Sequence, residues 1–413
     1  MSTMCPPTRR SFLAASGAVS LSVLALCTRW LYDGRPSADG VPVARPRQRR
    51  HLSGESGPWP TLGYDARRSG FRPDTPAFGR DTRIVPTSTA GLVERTPPVV
   101  GDGVRLTCAD GYVSTSEAEL VWRARLVARN TDGRERWRLT GKTGVSTPTV
   151  VGQTCFVVLD QQTLAVDCVT GERRWRHDVG SDRPGSAPAV VGERVYVADD
   201  RLYALDAVTG DRLWQSDAEL EYGVHGLAAT KDVVCVTTGD GEHGRLYAFD
   251  SDGSRQWDTA QVGENYAPPV VGERHVFVAR TESGHIHAVS LADGSIAWTV
   301  ARGTRGGPVT VADDTVFLTD ARESQVVALD TNTGERRWTR AFESSGRGRG
   351  LAPRVAGDTV YAVVGTTPSV FTRLDRRSGE LQDSFALDFE PLTGPAVGDD
   401  AIYVGAASVD GER

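Results

Sequence analysis

The residues best able to do chemistry in this chain are histidines, cysteines and a recurrent set of aspartates. His285 and His287 fall on one face of a predicted strand, with His275 on the preceding strand, and three imidazoles could hold Zn²⁺. Alignment of the repeats described below puts His287 where another copy has Tyr203, and His285 where it has Arg201, so side-chain variation on a half-exposed strand accounts for them. Asp167, Asp206, Asp250, Asp330 and Asp375 alternate with apolar residues like an acid–base array. Each precedes a turn, however, where a carboxylate caps backbone N–H groups two residues on. The cysteines, at positions 5, 27, 108, 155, 168 and 235, include no adjacent pair and no CxxCH string for an attached haem. A hairpin centred between Gln161 and Gln162 would set Cys155 opposite Cys168, leaving open a disulfide or two buried thiols. We adopt the thiols, because a cross-strand bridge needs particular Cα separations and export in folded form delays oxidation. Cys108 and Cys235 read as core fillers. Nucleophile-elbow, P-loop and HExxH strings are missing, so the sequence offers no catalytic, cofactor or metal constellation.

The elements that position these residues come from a repeat. A Val-Val-Gly-Glu-like turn, a β-branched run, a Leu-Tyr-Ala-Leu-Asp-like run, Thr-Gly and then Trp recur from Gln153 onward. Tryptophans 137, 175, 214, 257, 298 and 338 are separated by 38, 39, 43, 41 and 40 residues. Each lies four residues after a glycine: Gly133, Gly171, Gly210, Gly253, Gly294 or Gly334. In a seventh copy, after Gly379, Asp383 takes the tryptophan place and Phe385 is the candidate to dock instead, which makes that unit the loosest. Short runs such as Val195-Tyr196-Val197, bounded by turn residues, read as strands and leave no room for helix. Four short antiparallel strands per unit of about 40 to 45 residues make a β-propeller, whose blades bury their faces against one another. Trp137, Trp175, Trp214, Trp257, Trp298 and Trp338 are then inter-blade plugs.

Two tallies set the blade count. The hairpin of the first two strands occurs eight times, near residues 100, 151, 191, 231, 271, 312, 356 and 398, whereas the glycine turn before the last strand occurs seven times. The eighth unit stops after Ala401-Ile402-Tyr403-Val404, so its outer strand must come from the N-terminal side, with Thr82 to Thr87 the candidate. The expected fold is all-β, an eight-bladed propeller closed by shared N- and C-terminal strands; seven blades with an appended hairpin is the alternative. Sharing a blade removes an open sheet edge.

Thr8-Arg9-Arg10-Ser11-Phe12-Leu13 is followed by an apolar run to Cys27, which resembles a twin-arginine export signal carried by Arg9 and Arg10. The 17 residues from Ser11 to Cys27 make a weak spanning helix, although a retained anchor stays open. Leu24-Ala25-Leu26-Cys27 resembles a lipobox, which implies lipidation at Cys27; Leu26 departs from the small residue expected there, and the other reading is a cysteine cleaved away or kept in an uncleaved anchor. The organisation read from this is a signal at 1–27, a tether rich in Pro, Arg, Gly and Ser at 28–58, and the propeller at 59–413.

Two lysines beside 45 arginines, with a net charge of -6, suit a surface hydrated in high salt or a GC-rich genome. No basic block occurs beyond Arg45 to Arg50, which sets nucleic acid aside.

The LYALDAxTGxxxW pattern over residues 95 to 413 resembles the pyrroloquinoline-quinone-type propeller repeat, and Trp59-Pro60-Thr61-Leu62-Gly63-Tyr64-Asp65-Ala66-Arg67-Arg68-Ser69-Gly70 resembles the lead-in of exported haloarchaeal members. That resemblance implies one of two classes: quinoprotein alcohol dehydrogenases with quinone and Ca²⁺ on the axis, or non-catalytic propellers such as the lipoprotein of the bacterial outer-membrane assembly machine. The first class uses an adjacent cysteine pair, a Glu/Asn/Asp set on calcium and long inserts, and this chain has neither the pair nor the length. The expectation is therefore a non-catalytic, extracytoplasmic binding or assembly scaffold without a cofactor, monomeric, held at the membrane by lipid or an N-terminal anchor, with an envelope protein or peptide as partner. The alternative is a quinone- and calcium-dependent dehydrogenase of alcohols or sugars. The place for a ligand is the position two residues before the first-strand proline: Arg95, Ser146, Ser186, His225, Tyr266, Gly306, Leu351 and Leu392, flanked by Arg305 and Arg347-Gly-Arg349. His225, Tyr266, Arg305 and Arg349 are the candidate rim for an anionic or peptide ligand.

Overall fold

The computed structural model describes residues 60–73, 83–88, 92–94, 96–101, 103–114, 119–179, 186–240, 243–260, 262, 267–280, 284–301, 307–343, 350–365 and 368–407. Arg9, Arg10, Cys27 and the 28–58 tether lie outside them. The described residues contain strands and no helix, arranged in eight sheets. The β-propeller read from the repeat is the fold found.

Each of the first seven sheets contains four antiparallel strands that follow one another in the chain; the first sheet adds Val93–Glu94, and the seventh adds Phe71–Arg72, paired parallel with Arg354–Ala356. The third is typical: Ala189–Val191, Arg194–Ala198, Leu202–Asp206 and Arg212–Gln215. Val195, Tyr196, Val197, Ala198, Leu202, Ala204 and Leu205 of its two central strands are buried, as strands packed on both faces require, and Tyr203 is half-buried. The predicted aspartate caps are present. Asp206 Oδ1 accepts the amides of Val208 and Thr209, both at 2.8 Å, and Asp167, Asp250, Asp330 and Asp375 repeat the pattern.

The eighth sheet joins the two ends of the chain. Ala401–Gly405 pairs antiparallel with Ala396–Val397 on one side and parallel with Arg83–Thr87 on the other. The outer strand is thus supplied from the N-terminal side, within the Thr82 to Thr87 segment named above.

The tryptophans pack between sheets. A methyl group on Gly210 would come within 2.6 Å of the Trp175 ring, and the Trp175 indole N–H donates to Ala207 O at 3.0 Å. The same pairing joins Trp137 to Gly171, Trp214 to Gly253, Trp257 to Gly294, Trp298 to Gly334 and Trp338 to Gly379. The turn glycine therefore does two things: it takes positive φ, +79° at Gly210, and it gives the indole a flat seat. Phe385 does not replace the missing tryptophan. It stacks on Phe371 of its own sheet at 5.3 Å, its cross-strand partner, and is 37% exposed.

The Cys155 to Cys168 pairing is also corrected. Asp160 and Gln161 both adopt positive φ, 49° and 68°, and form the two-residue hairpin turn. The centre moves by one residue, so Cys155 faces Val166 and the Cys168 amide bonds to Gln153 O. Cys108, Cys155, Cys168 and Cys235 are buried free thiols. Burial pushes the Cys108 and Cys235 thiols up to about 12 and raises Cys155 well above the ordinary thiol value, which disfavours the thiolate needed for nucleophilic or metal chemistry.

Candidate functional site

The axis of the ring is filled from one end by the chain's own N-terminal segment. Residues 60–72 run in sequence past the inner strands of the second to the eighth sheet. Amides of Val150, Ala229, Val271, Val311, Val355 and Gly357 donate in turn to the carbonyls of Pro60, Ala66, Arg67, Ser69, Gly70 and Arg72. Arg72 reaches the eighth sheet through Gly398 O at 3.3 Å and Asp399 at 2.7 Å. Innermost strands otherwise present unpaired N–H groups to the axis, and this segment satisfies them. Arg68 fixes its path. Its Nε donates to Leu227 O, Nη1 to Thr61 Oγ1 and Leu62 O, and Nη2 to Ala187 O and Pro188 O. So many bonds hold Arg68 at φ 61°, a conformation that costs a non-glycine residue about 1 kcal/mol or more.

Beyond this plug lies a cavity of about 420 Å³ to which all eight sheets contribute. Ser146, Ser186, His225, Leu351 and Leu392 line it, all drawn from the position expected to enter the axial funnel. Tyr266, Gly306, Arg95, Arg305 and Arg349 lie outside the described residues. Pro97, Pro268, Pro308, Ala187, Ala267 and Leu227 make much of the wall apolar. The loops pack tightly. A methyl on Gly226 would come within 2.6 Å of Pro268, and methyls on Gly307 and Gly394 would overlap the carbonyls of Gly350 and Ala352.

Among the described residues, the charged lining groups are Arg68, Arg354 and Asp110. Arg354 is 4% exposed and donates from Nη1 to Pro353 O at 3.0 Å and Thr310 Oγ1 at 3.3 Å. Burial lowers its guanidinium to about 10, which leaves it charged at neutral pH. Neither arginine was singled out from sequence. Arg354 did carry a signal: it directly follows a first-strand proline, where Val99, Thr149, Ala189, Val309 and Ala396 stand in other copies. Arg68 carried none beyond its place in the lead-in.

The first sheet adds a feature at the cavity mouth. Val104–Ser114 and Leu120–Asn130 have 11 residues each, against five to seven in the equivalent strands of the second to seventh sheets. Leu106 pairs with Val99 of the inner strand, and Ala109 and Asp110 line the cavity, so the strand beyond Asp110 projects from the cavity side of the ring. At this tip Tyr112 is 65% exposed, Leu120 is 70% exposed, and Trp122 meets Tyr112 edge-on at 4.9 Å.

The histidines form no metal centre. His285 and His287 stack at 6.3 Å, and His287 Nδ1 lies 2.9 Å from Thr299 Oγ1. Burial, then Arg280 and His285, lower His287 to about 4. No group of three or more His, Cys, Asp or Glu among the described residues could hold a metal ion.

A family comparison matches residues 93–299 and 282–411 to the family described as outer membrane protein assembly factor BamB. The chain belongs to that family. A curated BamB relative, from Moranella endobia (strain PCIT), is 30% identical over 113 residues, which is 25% of this chain and 28% of that protein. Among solved structures, BamB from Moraxella catarrhalis is 18% identical with a TM-score of 0.49, covering 77% of this chain and 98% of its own. Quinohemoprotein alcohol dehydrogenase from Comamonas testosteroni is 13% identical with a TM-score of 0.59, covering 84% and 76%. The dehydrogenase shares the fold. Asp110 is the one carboxylate lining the cavity among the described residues, and the sequence has no adjacent cysteines.

Proposed function

We propose that this BamB-family propeller is a non-catalytic binding or assembly scaffold of the cell envelope. The observation that carries the reading is the one-ended axial cavity, walled by all eight sheets, plugged by residues 60–72 and overhung by an exposed aromatic hairpin. A ring that spends its repeated tryptophans on packing leaves its loops and arm for recognition. In this reading the eight sheets are eight blades, Arg9 and Arg10 direct export in folded form, and Cys27 or a retained apolar segment holds the domain at the outer face of the cytoplasmic membrane through the 28–58 tether. His225, with Tyr266, Arg305 and Arg349, forms the ligand rim of a monomer, and the low-lysine surface belongs to an exported haloarchaeal type.

The test is crosslinking in native membranes followed by capture. Replacing His225, Tyr266 and Arg305 together should remove at least one captured envelope protein; an unchanged set of partners would remove the rim from the proposal. The fold shared with a quinohemoprotein dehydrogenase supports a second reading, a quinone- and calcium-dependent oxidation of alcohols or sugars. Reconstitution with quinone and Ca²⁺ distinguishes the two, since stoichiometric chromophore binding with dye reduction would make the protein an enzyme.

A further inference from the structure

The axial cavity selects a ligand by charge and by one hydrogen bond, and the selection rests on the binding role proposed above. A guanidinium group has five N–H donors, and Arg68 spends all five, on Leu227 O, Thr61 Oγ1, Leu62 O, Ala187 O and Pro188 O. The Asp65 carboxylate of the same segment lies within reach of its charge. Arg68 is therefore committed to the plug and to the third and fourth sheets, and it keeps no donor for an anion in the cavity. An ammonium group fares no better, since two guanidinium groups stand against one carboxylate among the described lining residues. A ligand of either charge would give up its hydration to a wall made largely of Pro, Ala, Leu and Val. An uncharged ligand gives up little and gains apolar contact. The volume of about 420 Å³ is within the range of small-ligand pockets, roughly 300 to 1,000 Å³, and Pro97, Pro268 and Pro308 with the tight glycine contacts fix its shape before a ligand enters.

The hydrogen bond comes from Ser186. This residue is 7% exposed and lines the cavity, and its hydroxyl has no hydrogen-bond partner among the described residues. The repeat shows how such hydroxyls are otherwise used. Ser146, at the same place in the second sheet, accepts the Val158 amide at 2.9 Å and donates to Thr147 O at 3.3 Å. In the eighth sheet Thr393 accepts the Gly405 amide at 2.8 Å and donates to Gly394 O at 3.1 Å. Both of these hydroxyls hold their own loop, whereas Ser186 holds nothing in the third. A buried hydroxyl left without a partner costs stability. A turn about its single side-chain torsion sets it toward the cavity, where it can donate to a carbonyl oxygen.

We propose that the axial cavity binds a compact, uncharged and mostly apolar molecule that carries a carbonyl group. Ser186 donates to the carbonyl oxygen, Leu351, Leu392 and the prolines cover the apolar body, and Arg68 stays with the fold as part of the floor.

The test is saturation-transfer NMR on the full chain with four derivatives of naphthalene substituted at the same ring position: the methyl ketone, the isopropenyl hydrocarbon of the same shape, the carboxylate and the methylammonium. The ketone should bind. The hydrocarbon should bind roughly 3- to 10-fold more weakly, the range of a neutral hydrogen bond, and each ion about tenfold more weakly or worse. Ser186→Ala should bring the ketone to the affinity of the hydrocarbon and leave the hydrocarbon unchanged, a result that a merely structural serine would not give. Leu351→Trp, which sets a larger side chain in the cavity, should abolish binding of both; Ser186→Ala removes a single heavy atom and keeps the proposal testable should Leu351→Trp fail to fold. Either ion binding as tightly as the ketone, equal binding of ketone and hydrocarbon by the parent, a ketone preference that survives Ser186→Ala, ketone binding that persists in a folded Leu351→Trp, or no saturation transfer to the ketone at millimolar concentration would each overturn the proposal. Capture of an envelope partner that depends on His225, Tyr266 and Arg305, without ketone binding, would sink this inference and leave the scaffold reading standing; ketone binding without any captured partner would do the reverse.

Discussion

From the first sheet to the seventh, neighbouring sheets are joined by one device, and around the eighth the device is absent. In the six repeated junctions an indole sits on the turn glycine of the next sheet and donates its N–H to a carbonyl two or three residues before that glycine. The tryptophan pairs across its own sheet with an alanine: Ala128, Ala165, Ala204, Ala248, Ala288 or Ala328. In the seventh sheet both partners change, to Arg373 and Asp383. On the far side of the closure Gly133 keeps its positive φ of 89°, but among the described residues nothing lies within 4 Å of where its side chain would start. The closure is instead made by backbone pairing of Arg83–Thr87 with Ala401–Gly405, by Arg72 reaching Gly398 and Asp399, and by Arg105 lying 5.3 Å over the Tyr403 ring. The repeat keeps its interfaces in side chains, whereas the closure depends on main chain borrowed from the N-terminal side.

The largest effect should follow from removing that borrowed main chain. A chain beginning at residue 88 loses both the axial segment and the outer strand of the eighth sheet, and it uncovers the edge of Ala401–Gly405. Uncovered edges pair with other chains. Size-exclusion chromatography with light scattering should find aggregate in place of monomer, and calorimetry should find no cooperative transition. A monomer melting within a few degrees of the parent would show that the closure is carried by side chains after all.

Next in size is the contrast between Trp175 and Phe385. Trp175 is 8% exposed and bridges two sheets, so Trp175→Ala should cost about 3 to 5 kcal/mol. Phe385→Ala loses only the stack on Phe371 within one sheet and should cost roughly 0.5 to 1.5 kcal/mol. Urea denaturation midpoints at equal slope compare them. Equal losses would mean that the seventh junction, too, is held by its aromatic residue.

Much of this contrast was legible before the structure, because phase is a sequence property. The six tryptophans, the deviant seventh copy and the missing outer strand of the eighth follow from spacing alone, and aspartate capping follows from local turn chemistry. What spacing hid was direction: glycine and tryptophan of one repeat are four residues apart, yet each glycine seats the tryptophan of the preceding repeat, as Gly210 does Trp175. The hairpin near Cys155 was misplaced by one residue because Asp160 and Gln161 take positive φ without a glycine to mark it. The axial plug was invisible because residues 60–72 work chiefly through carbonyl oxygens, which every residue has. The cavity ring was found by register, but its floor was not: Arg354 was a charged exception to a pattern, and Arg68 has no periodic neighbour to be compared with.

The direction of seating can itself be tested with two alanines. Gly210→Ala must strain a positive-φ position and also displace the Trp175 ring, whereas Gly133→Ala meets only the strain. The strain costs about 1 to 2 kcal/mol, and overpacking adds roughly 1 to 3 kcal/mol. Gly210→Ala should therefore be the more destabilised variant, and Gly210→Ala made in a Trp175→Ala background should lose most of its extra cost. Equal destabilisation of the Gly210 and Gly133 variants would remove the seat from the account of the repeated junctions.

The smallest expected effect separates the sixth sheet from the seventh at low pH. Asp330 caps the amides of Asn332 and Thr333 and accepts from Arg337 at 2.6 Å; Arg337 foremost, with the amide bonds, holds its carboxyl at about 2. Asp375 caps Arg377 and Ser378 in the same way, but the position of Arg337 is taken by Gln382, and amide and hydroxyl bonds, with a smaller contribution from the Arg377 charge, lower its carboxyl. A carboxyl lowered in the folded state stabilises above its unfolded value, about 3.9, and the contribution is lost as pH falls through the folded one. Both groups are near the surface, where screening keeps such pairs to about 1 kcal/mol or less. Asp330→Asn should flatten the fall in melting temperature between pH 4 and 2 relative to the parent, and Asp375→Asn should flatten it less. Parallel profiles for parent and Asp330→Asn would show that the arginine adds nothing to the cap, and that the two turns differ in sequence without differing in strength.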